Sequence, residues 1–162
     1  MGQVYGLETL RQAIATHPDQ WRPLVFTNGC FDLLHVGHVR YLASAKALGK
    51  TLVVGLNSDA SVASIKPQPK HLPQRPIVPA VQRAELLTAL SMVDGVVIFN
   101  ETTATKLIEI LQPDLYVKGG DYTPDTLPEA PAVYGYNGKI QLIQIAVPTS
   151  TSGIITKILK EQ

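Results

Sequence analysis

Short apolar runs recur along this chain, and segments with helical spacing separate them. The runs occupy residues 24–27, 52–56, 95–99, 115–117 and 140–147. An apolar run without polar alternation is typical of a strand that is covered on both faces of a parallel sheet. Because such runs alternate with helical segments, the pattern predicts a doubly wound α/β fold. We expect five parallel strands in the order 3-2-1-4-5, between two layers of helices.

A single domain, residues 1–162, accounts for the whole chain. With 162 residues, of which 45% are apolar and 17% charged, the chain can bury a core and has a globular composition. Residues 1–21 are predicted to form an N-terminal helix and lead-in. The one irregular segment, residues 66–79, contains five prolines and four basic residues. Prolines disfavour regular structure, so we predict a mobile basic flap there and not a domain linker.

The charge and cysteine content restrict the possible partners and compartment. The net charge is +1, so no overall field favours nucleic acid or an acidic membrane surface. No apolar stretch approaches the length of a membrane span, and residues 1–19 lack the apolar core of a signal peptide. The single cysteine, Cys30, cannot form an internal disulfide and fits a reducing compartment. We therefore expect a cytoplasmic protein without nucleic-acid or membrane partners.

A polar stretch at residues 27–38 follows the first predicted strand and opens a helical segment. A helix N-terminus offers unpaired N–H groups and a partial positive charge, so it suits a phosphate. His35 and His38 lie on one side of the first turn, and Gly37 lets the backbone approach a ligand closely. The stretch therefore predicts a phosphate site. Lys46 shares the stripe of His38, and we expect its amine to point back towards the histidines.

Two further polar clusters fall at comparable places. Residues 118–122 follow the fourth predicted strand, and residues 149–153 open the last helix with four hydroxyl side chains. One hydroxyl serves as the N-cap, and the others are free to bind phosphate oxygens. Strands one and four are neighbours at the point where the strand order reverses, which is where ligands bind in such sheets. We expect all three clusters to line one site.

Residues 29–38 resemble the H-x-G-H signature of the cytidylyltransferase-like nucleotidyltransferases, which implies a Rossmann-like fold. Residues 54–59, 75–79, 83–87, 117–122 and 150–152 resemble the adenylyltransferase domains of bifunctional heptose-synthesis enzymes. Those domains join ATP and D-glycero-β-D-manno-heptose 1-phosphate to give ADP-heptose. The resemblance covers about residues 24–159. Pro148 and Thr149 replace a glycine and a basic residue that are common there, so a basic contact to the triphosphate is either missing or supplied by the flap.

The resemblance implies a reaction in which a phosphorylated small molecule attacks the α-phosphorus of a nucleoside triphosphate and releases pyrophosphate. The catalytic residues are then His35, His38 and Lys46. The nucleotide-binding residues are Asn28, Gly29, Cys30, Phe31, Gly37, Lys118, Gly119, Gly120, Asp121, Ser150, Thr151 and Ser152. The acceptor-binding residues are Asp32, Asn57 and Arg83. Mg²⁺ is expected to enter with ATP, because no residue cluster resembles an all-protein metal cage. Relatives commonly form dimers, so we expect a homodimer.

Two alternatives stay open. The first is a cytidylyltransferase that acts on a polyol phosphate such as glycerol 3-phosphate with the same catalytic parts. The second is a nucleotide-binding regulatory module without turnover, although a silent module would not need His35, His38 and Lys46 together. The resemblance of residues 118–122 to the heptose-type domains favours ATP over CTP.

Overall fold

The computed structural model describes residues 1–66, 72–120, 122–144 and 149–160. Six strands and eight helices follow one another within these residues. In chain order they are β1 (Gln3–Val4), α1 (Leu7–Thr16), α2 (Pro18–Trp21), β2 (Leu24–Gly29), α3 (Val36–Lys46), β3 (Thr51–Asn57), α4 (Asp59–Ile65), α5 (Ala80–Thr88), β4 (Gly95–Phe99), α6 (Thr105–Leu111), β5 (Leu115–Gly119), a short 3₁₀ turn (Pro124–Thr126), α7 (Ala130–Gly135), β6 (Lys139–Ile143) and α8 (Thr151–Lys160).

The strands form one parallel sheet in the order β1-β4-β3-β2-β5-β6. The five predicted strands are present in their predicted order, and the α/β Rossmann-like fold is confirmed. The prediction of five strands is wrong by one, because β1 adds to the edge beside β4. This strand has two exposed residues, Gln3 and Val4, so the sequence contains no apolar run to reveal it. Its pairing with β4 defines it.

Each buried strand contributes side chains to cores on both faces of the sheet. In β2, Leu24 and Phe26 join the core that packs against α1 and α6, whereas Val25 joins the core that contains Leu42 of α3. Every residue of β3 is buried. Covering both faces removes the need for polar alternation, which explains the continuous apolar runs. None of the described helices combines the length and the apolarity needed to cross a membrane.

Several predicted boundaries shift. Helix α3 begins at Val36 and ends at Lys46, so it starts directly after His35 rather than at residue 39. Helix α4 was not predicted, although the Ser58 hydroxyl caps it by accepting a hydrogen bond from Ser61 N. Strand β6 ends at Ile143. Residues 145–147 of the predicted fifth strand lie outside the described residues.

Candidate active site

The carboxyl ends of β2, β3 and β5 open into one cleft that consists of two adjoining cavities. The first has a volume of about 520 Å³ and the second of about 580 Å³. The residues that line both are Asn28, Gly29, Cys30, Phe31, His35, His38, Lys118, Gly119 and Thr149. We call this set the shared wall. The structure thus brings together described residues from all three polar clusters, at the edge of the sheet where strand order reverses.

The loop after β2 has an unusual backbone. Phe31 and Leu33 adopt φ values of 45° and 51°, a left-handed conformation that is uncommon for residues with side chains. Burial of the Phe31 ring in the core stabilises this path. A Cβ atom at Gly29 would lie 3.0 Å from the Phe31 ring, so glycine provides the space for that turn. Strained backbone of this kind is concentrated at functional sites in proteins.

The two histidines are held by backbone N–H groups at the start of α3. His35 Nδ1 accepts a hydrogen bond from Gly37 N at 3.1 Å, and His38 Nδ1 accepts one from His35 N at 3.3 Å. The two rings stack with their centroids 3.9 Å apart. A backbone N–H can only donate, so each Nδ1 must lack a proton and each neutral ring must carry its proton on Nε2. Both rings therefore offer an Nε2–H donor.

Burial keeps this pair uncharged. Desolvation lowers the pKa of His35 below the usual value for histidine. Desolvation and the neighbouring His35 lower the pKa of His38 to about 4, although Asp32 acts in the opposite direction. At neutral pH the pair consists of two neutral donors, which bind phosphate oxygens by hydrogen bonds without the desolvation cost of a buried cation.

Tyr41 braces α3 against the sheet behind the histidines. Its hydroxyl donates to Val117 O at 3.1 Å and lies 2.6 Å from Thr27 Oγ1, whose hydrogen can point to it. A Cβ atom at Gly119 would lie 2.9 Å from the Tyr41 ring. Glycine at this position therefore lets the end of β5 close onto α3. Tyr41 lies three residues after His38, and this helical spacing could have indicated that the two side chains share one face of α3.

Lys118 and Asn28 form a second polar group in the shared wall. Lys118 Nζ donates to Asn28 O at 3.2 Å and to Asn28 Oδ1 at 3.1 Å. The Tyr116 hydroxyl also donates to Asn28 Oδ1, at 2.8 Å. Burial lowers the pKa of Lys118, whereas the nearby Glu129 carboxylate opposes this change. The Lys118 amine is thus tied to the end of β2.

The first cavity carries two cations from the predicted flap. Lys66 and Arg75 both line it, and no described residue forms an ion pair with Lys66. Arg75 Nε lies 2.5 Å from Asp32 Oδ2, and its side chain is 11% exposed. Both residues belong to the basic segment predicted from the sequence, but their positions could not be predicted because no periodicity fixes the path of a proline-rich segment. The described part of the flap therefore supplies positive charge to the cleft.

Asp32 anchors the flap, and its predicted contact with an acceptor stays a prediction, although the residue lines the first cavity. Its carboxylate accepts hydrogen bonds from Arg75 Nε, Ile77 N at 2.9 Å and Val78 N at 3.0 Å, and its side chain is fully buried. Burial raises the pKa of this carboxyl, but the three donors outweigh burial and the pKa is lowered overall. Three donors already occupy the carboxylate. Residues 75–78 of the predicted mobile flap are consequently attached to the phosphate loop, while residues 67–71 lie outside the described residues.

Lys46 does not reach the histidines, so the predicted direction of its side chain is wrong. Its amine contacts Asp94 Oδ2 at 2.6 Å and Lys50 O at 2.5 Å. Asp94 also accepts from Leu52 N near the start of β3, which is the opposite edge of the sheet. Helix α3 is roughly 15 Å long at 1.5 Å per residue, which is too far for a lysine to span towards the first turn. Lys46 instead pairs with the nearest carboxylate.

Arg83 lies outside the cleft, although it is predicted to bind the acceptor. It is fully buried, and neither cavity of the cleft includes it. Its guanidinium donates to Cys30 O, Asn57 O and Val78 O, and it pairs with Asp59 Oδ1 at 2.8 Å. Arg83 thus ties the phosphate loop, the end of β3 and the end of the flap to one another without facing a ligand.

The remaining predicted residues lie at or near the cleft. Asn57 lines the first cavity, although its Nδ2 donates to Ser61 Oγ at 2.9 Å. Ser150, Thr151 and Ser152 line the same cavity. Ser150 Oγ caps α8 by accepting from Gly153 N, and Thr151 Oγ1 donates to Asp32 O at 2.6 Å. Gly37 and Gly120 line the second cavity. Asp121 lies outside the described residues.

The described residues offer no resident metal site. Within them, no group of three or more histidine, cysteine, aspartate or glutamate side chains is placed to hold an ion. The Asp32 carboxylate in the cleft is buried and already accepts hydrogen bonds from three donors.

Comparisons with known proteins agree with this arrangement. The family model described as cytidylyltransferase-like matches residues 26–161. The chain is 48% identical over 152 residues to Bifunctional protein HldE of Syntrophotalea carbinolica, which covers 94% of this chain and 30% of that protein. It is 46% identical over 158 residues to Bifunctional protein HldE of Geobacter sulfurreducens, which covers 98% of this chain and 31% of that protein. The chain thus spans less than a third of the length of these relatives.

Solved structures share the fold. The lipopolysaccharide core biosynthesis protein of Thermoplasma volcanium superposes with a TM-score of 0.60 at 26% identity, covering 77% of this chain and 97% of that one. Pantothenate synthetase of Thermus thermophilus superposes with a TM-score of 0.64 at 13% identity, covering 95% of this chain and 67% of that one, which is a likeness of fold alone. On the family match and the identity to its relatives, the chain belongs to the cytidylyltransferase-like family of nucleotidyltransferases.

Proposed function

We propose that the chain transfers AMP from ATP to a sugar 1-phosphate, D-glycero-β-D-manno-heptose 1-phosphate, and releases ADP-heptose and pyrophosphate. The observation that carries this proposal is the cleft with two cavities that meet at the shared wall. Each cavity lies within the usual volume range of a small-ligand site. A transferase for two phosphorylated substrates needs two such compartments and one place where they join.

The lining of each cavity suggests its occupant. The second cavity contains Gly119, Gly120 and Tyr41, and backbone N–H and C=O groups at glycines can form hydrogen bonds with the edge of a base. We assign the nucleotide to it. The first cavity contains Lys66 and Arg75, which suit the phosphate of the acceptor. The α-phosphate of ATP then lies at the shared wall, within the region of the two histidines.

The reaction needs positioning and charge neutralisation more than a strong base. The acceptor phosphate is already anionic, and one of its oxygens forms a bond to the α-phosphorus of ATP. The bond from the α-phosphorus to the bridging oxygen breaks, and pyrophosphate leaves with that electron pair. His35 and His38 donate from Nε2 to the triphosphate, and Arg75 holds the acceptor in line. Oriented donors of this kind account for most catalysis in phosphoryl transfer.

We expect ATP to bind as its Mg²⁺ complex. We assign the cation to the substrate, because Mg²⁺ in nucleotide-using enzymes is commonly bound through substrate phosphates. No step attributed to the protein depends on it.

The choice of ATP over CTP is tested by nucleotide competition. Groups at Gly119 and Gly120 that pair with one base are left unpaired with another, which costs free energy. With the heptose 1-phosphate as acceptor, kcat/KM for ATP should exceed that for CTP by about tenfold or more, equivalent to about 1.4 kcal/mol. A preference for CTP would overturn the assignment of the base.

A further inference from the structure

The orientation of the Asn28 carboxamide is fixed by its neighbours. Lysine has donors and no acceptor, so the Asn28 side-chain atom that lies 3.1 Å from Lys118 Nζ must be its oxygen. The Tyr116 hydroxyl lies 2.8 Å from the same oxygen and donates to it. Two donors on one side of the amide leave the NH₂ group on the other side. The usual ambiguity of amide orientation is thereby removed.

The Asn28 NH₂ group has no partner in the described part of the chain. No hydrogen bond joins Nδ2 to any described residue, whereas Asn28 O and Oδ1 are both engaged. Among the described residues, the one buried side-chain polar atom without a partner is Tyr136 Oη. Asn28 is partly exposed, and no described residue occupies its Nδ2. Asn28 belongs to the shared wall, so this donor lies where the two cavities meet.

We propose that Asn28 is a further catalytic residue, whose NH₂ group donates a hydrogen bond to an oxygen of the α-phosphate during transfer. Tyr116 and Lys118 act through it as positioning residues. This inference rests on the proposed function, because it places the reacting phosphate at the shared wall. A neutral donor that is already oriented needs no reorganisation when charge develops on the phosphate oxygens. The buried tyrosine hydroxyl and the lysine amine both serve that orientation.

The first test is a double-mutant cycle. Asn28→Ala should lower kcat by about a hundredfold, the usual loss for one oriented donor, with a smaller change in the KM for ATP. Tyr116→Phe should lower kcat by about fivefold, because one hydrogen bond contributes about 1 kcal/mol. In the Asn28→Ala background, Tyr116→Phe should have no further effect on kcat. An equal loss in both backgrounds would overturn the positioning role, since Tyr116 would then act independently of Asn28.

A matched control separates orientation from stability. Tyr136→Phe removes another buried hydroxyl, one that forms no hydrogen bond with the described residues and lies outside both cavities of the cleft. It should leave kcat unchanged. If Tyr136→Phe lowered kcat as much as Tyr116→Phe, the effect would be one of packing and the proposal would fail.

A binding measurement keeps the inference testable whichever acceptor is used. The side-chain NH₂ signals of Asn28, assigned by their loss in Asn28→Ala, should shift in NMR spectra when a non-hydrolysable ATP analogue is added. An unchanged Asn28 signal beside shifted signals of Gly119 would overturn the inference and leave the nucleotide site intact. Absence of any shift in the shared wall would contradict the nucleotide site itself, and with it both proposals.

Discussion

At the scale of single residues, the proposed catalysis depends most on the histidine pair. His38→Ala should lower kcat by about 10²–10³, the usual loss for one oriented donor. The melting temperature should change little, because the ring is partly exposed and its Nδ1 accepts a single, long hydrogen bond. Steady-state pyrophosphate release together with thermal unfolding measures both. A variant that retained half of the activity would contradict the assignment.

The pH profile of kcat/KM should report the protonation of His38. Burial lowers the pKa of His38 to about 4, so the folded protein keeps this ring neutral at pH values where an unfolded histidine gains a proton. The rate should therefore stay level as the pH falls through 6.5 and decline only as it approaches the folded pKa. The unfolded chain binds more protons in that window, so the free energy of unfolding should decrease as the pH falls from 6.5 towards 4. A decline in kcat/KM centred near 6.5, absent in His38→Ala, would show an unshifted histidine.

We expect Lys66, and not the predicted Lys46, to act on the acceptor phosphate. Lys46→Ala should leave kcat and both KM values unchanged and should cost about 0.2–1 kcal/mol of stability, because its ion pair with Asp94 is partly exposed. Lys66→Ala should raise the acceptor KM by about tenfold, since a charged hydrogen bond contributes about 1.5–3 kcal/mol. Initial-rate kinetics with each substrate varied in turn distinguishes them. A raised acceptor KM in Lys46→Ala alone would reverse this conclusion.

At the scale of elements, the contact between the phosphate loop and the flap controls the acceptor side. Asp32→Asn should release residues 75–78, because the amide keeps fewer of the three hydrogen bonds and loses the ion pair with Arg75. Thermolysin cleaves before apolar residues and should then cut before Ile77 or Val78, whereas both sites should resist cleavage in the parent protein. The acceptor KM should rise while ATP affinity holds.

Asp125→Asn is the matched control for that experiment, because Asp125 is exposed and lines neither cavity of the cleft. It should neither open the flap to thermolysin nor change the acceptor KM. Equal resistance of Asp32→Asn and the parent protein would show that contacts other than the carboxylate hold residues 75–78.

Strands and helices could be predicted from the sequence where a pattern of apolar residues marks them. Continuous apolar runs identified five strands and their order, because burial on both faces of a parallel sheet requires them. Strand β1 could not be predicted, because two exposed residues form no apolar run. The direction of the Lys46 side chain was predicted wrongly. Helical periodicity shows on which side of the helix a residue lies, but it does not reveal that the Asp94 carboxylate is available to pair with the amine. The Asp32–Arg75 pair joins residues 43 apart, and no local pattern encodes such a contact.

At the scale of the whole molecule, structural ion pairs and the candidate site lie at opposite ends of the strands. The amino ends of β3 and β4 carry the ion pair of Lys46 with Asp94, whereas the carboxyl ends of β2, β3 and β5 surround the cleft. Strands covered on both faces make that edge rigid, and the loops beyond it supply the ligand contacts. The homodimer and the cytoplasmic location remain predictions.

Phosphorus NMR of the complete reaction tests the central claim most directly. The protein should convert MgATP and D-glycero-β-D-manno-heptose 1-phosphate into one pyrophosphate and one ADP-heptose per turnover, while glycerol 3-phosphate is a poor acceptor. Running each nucleoside triphosphate against a panel of sugar phosphates completes the comparison. A preference for CTP with glycerol 3-phosphate would contradict the substrate assignment and leave nucleotidyl transfer standing. Tight ATP binding without pyrophosphate from any pair would contradict the proposed catalysis and indicate a regulatory module.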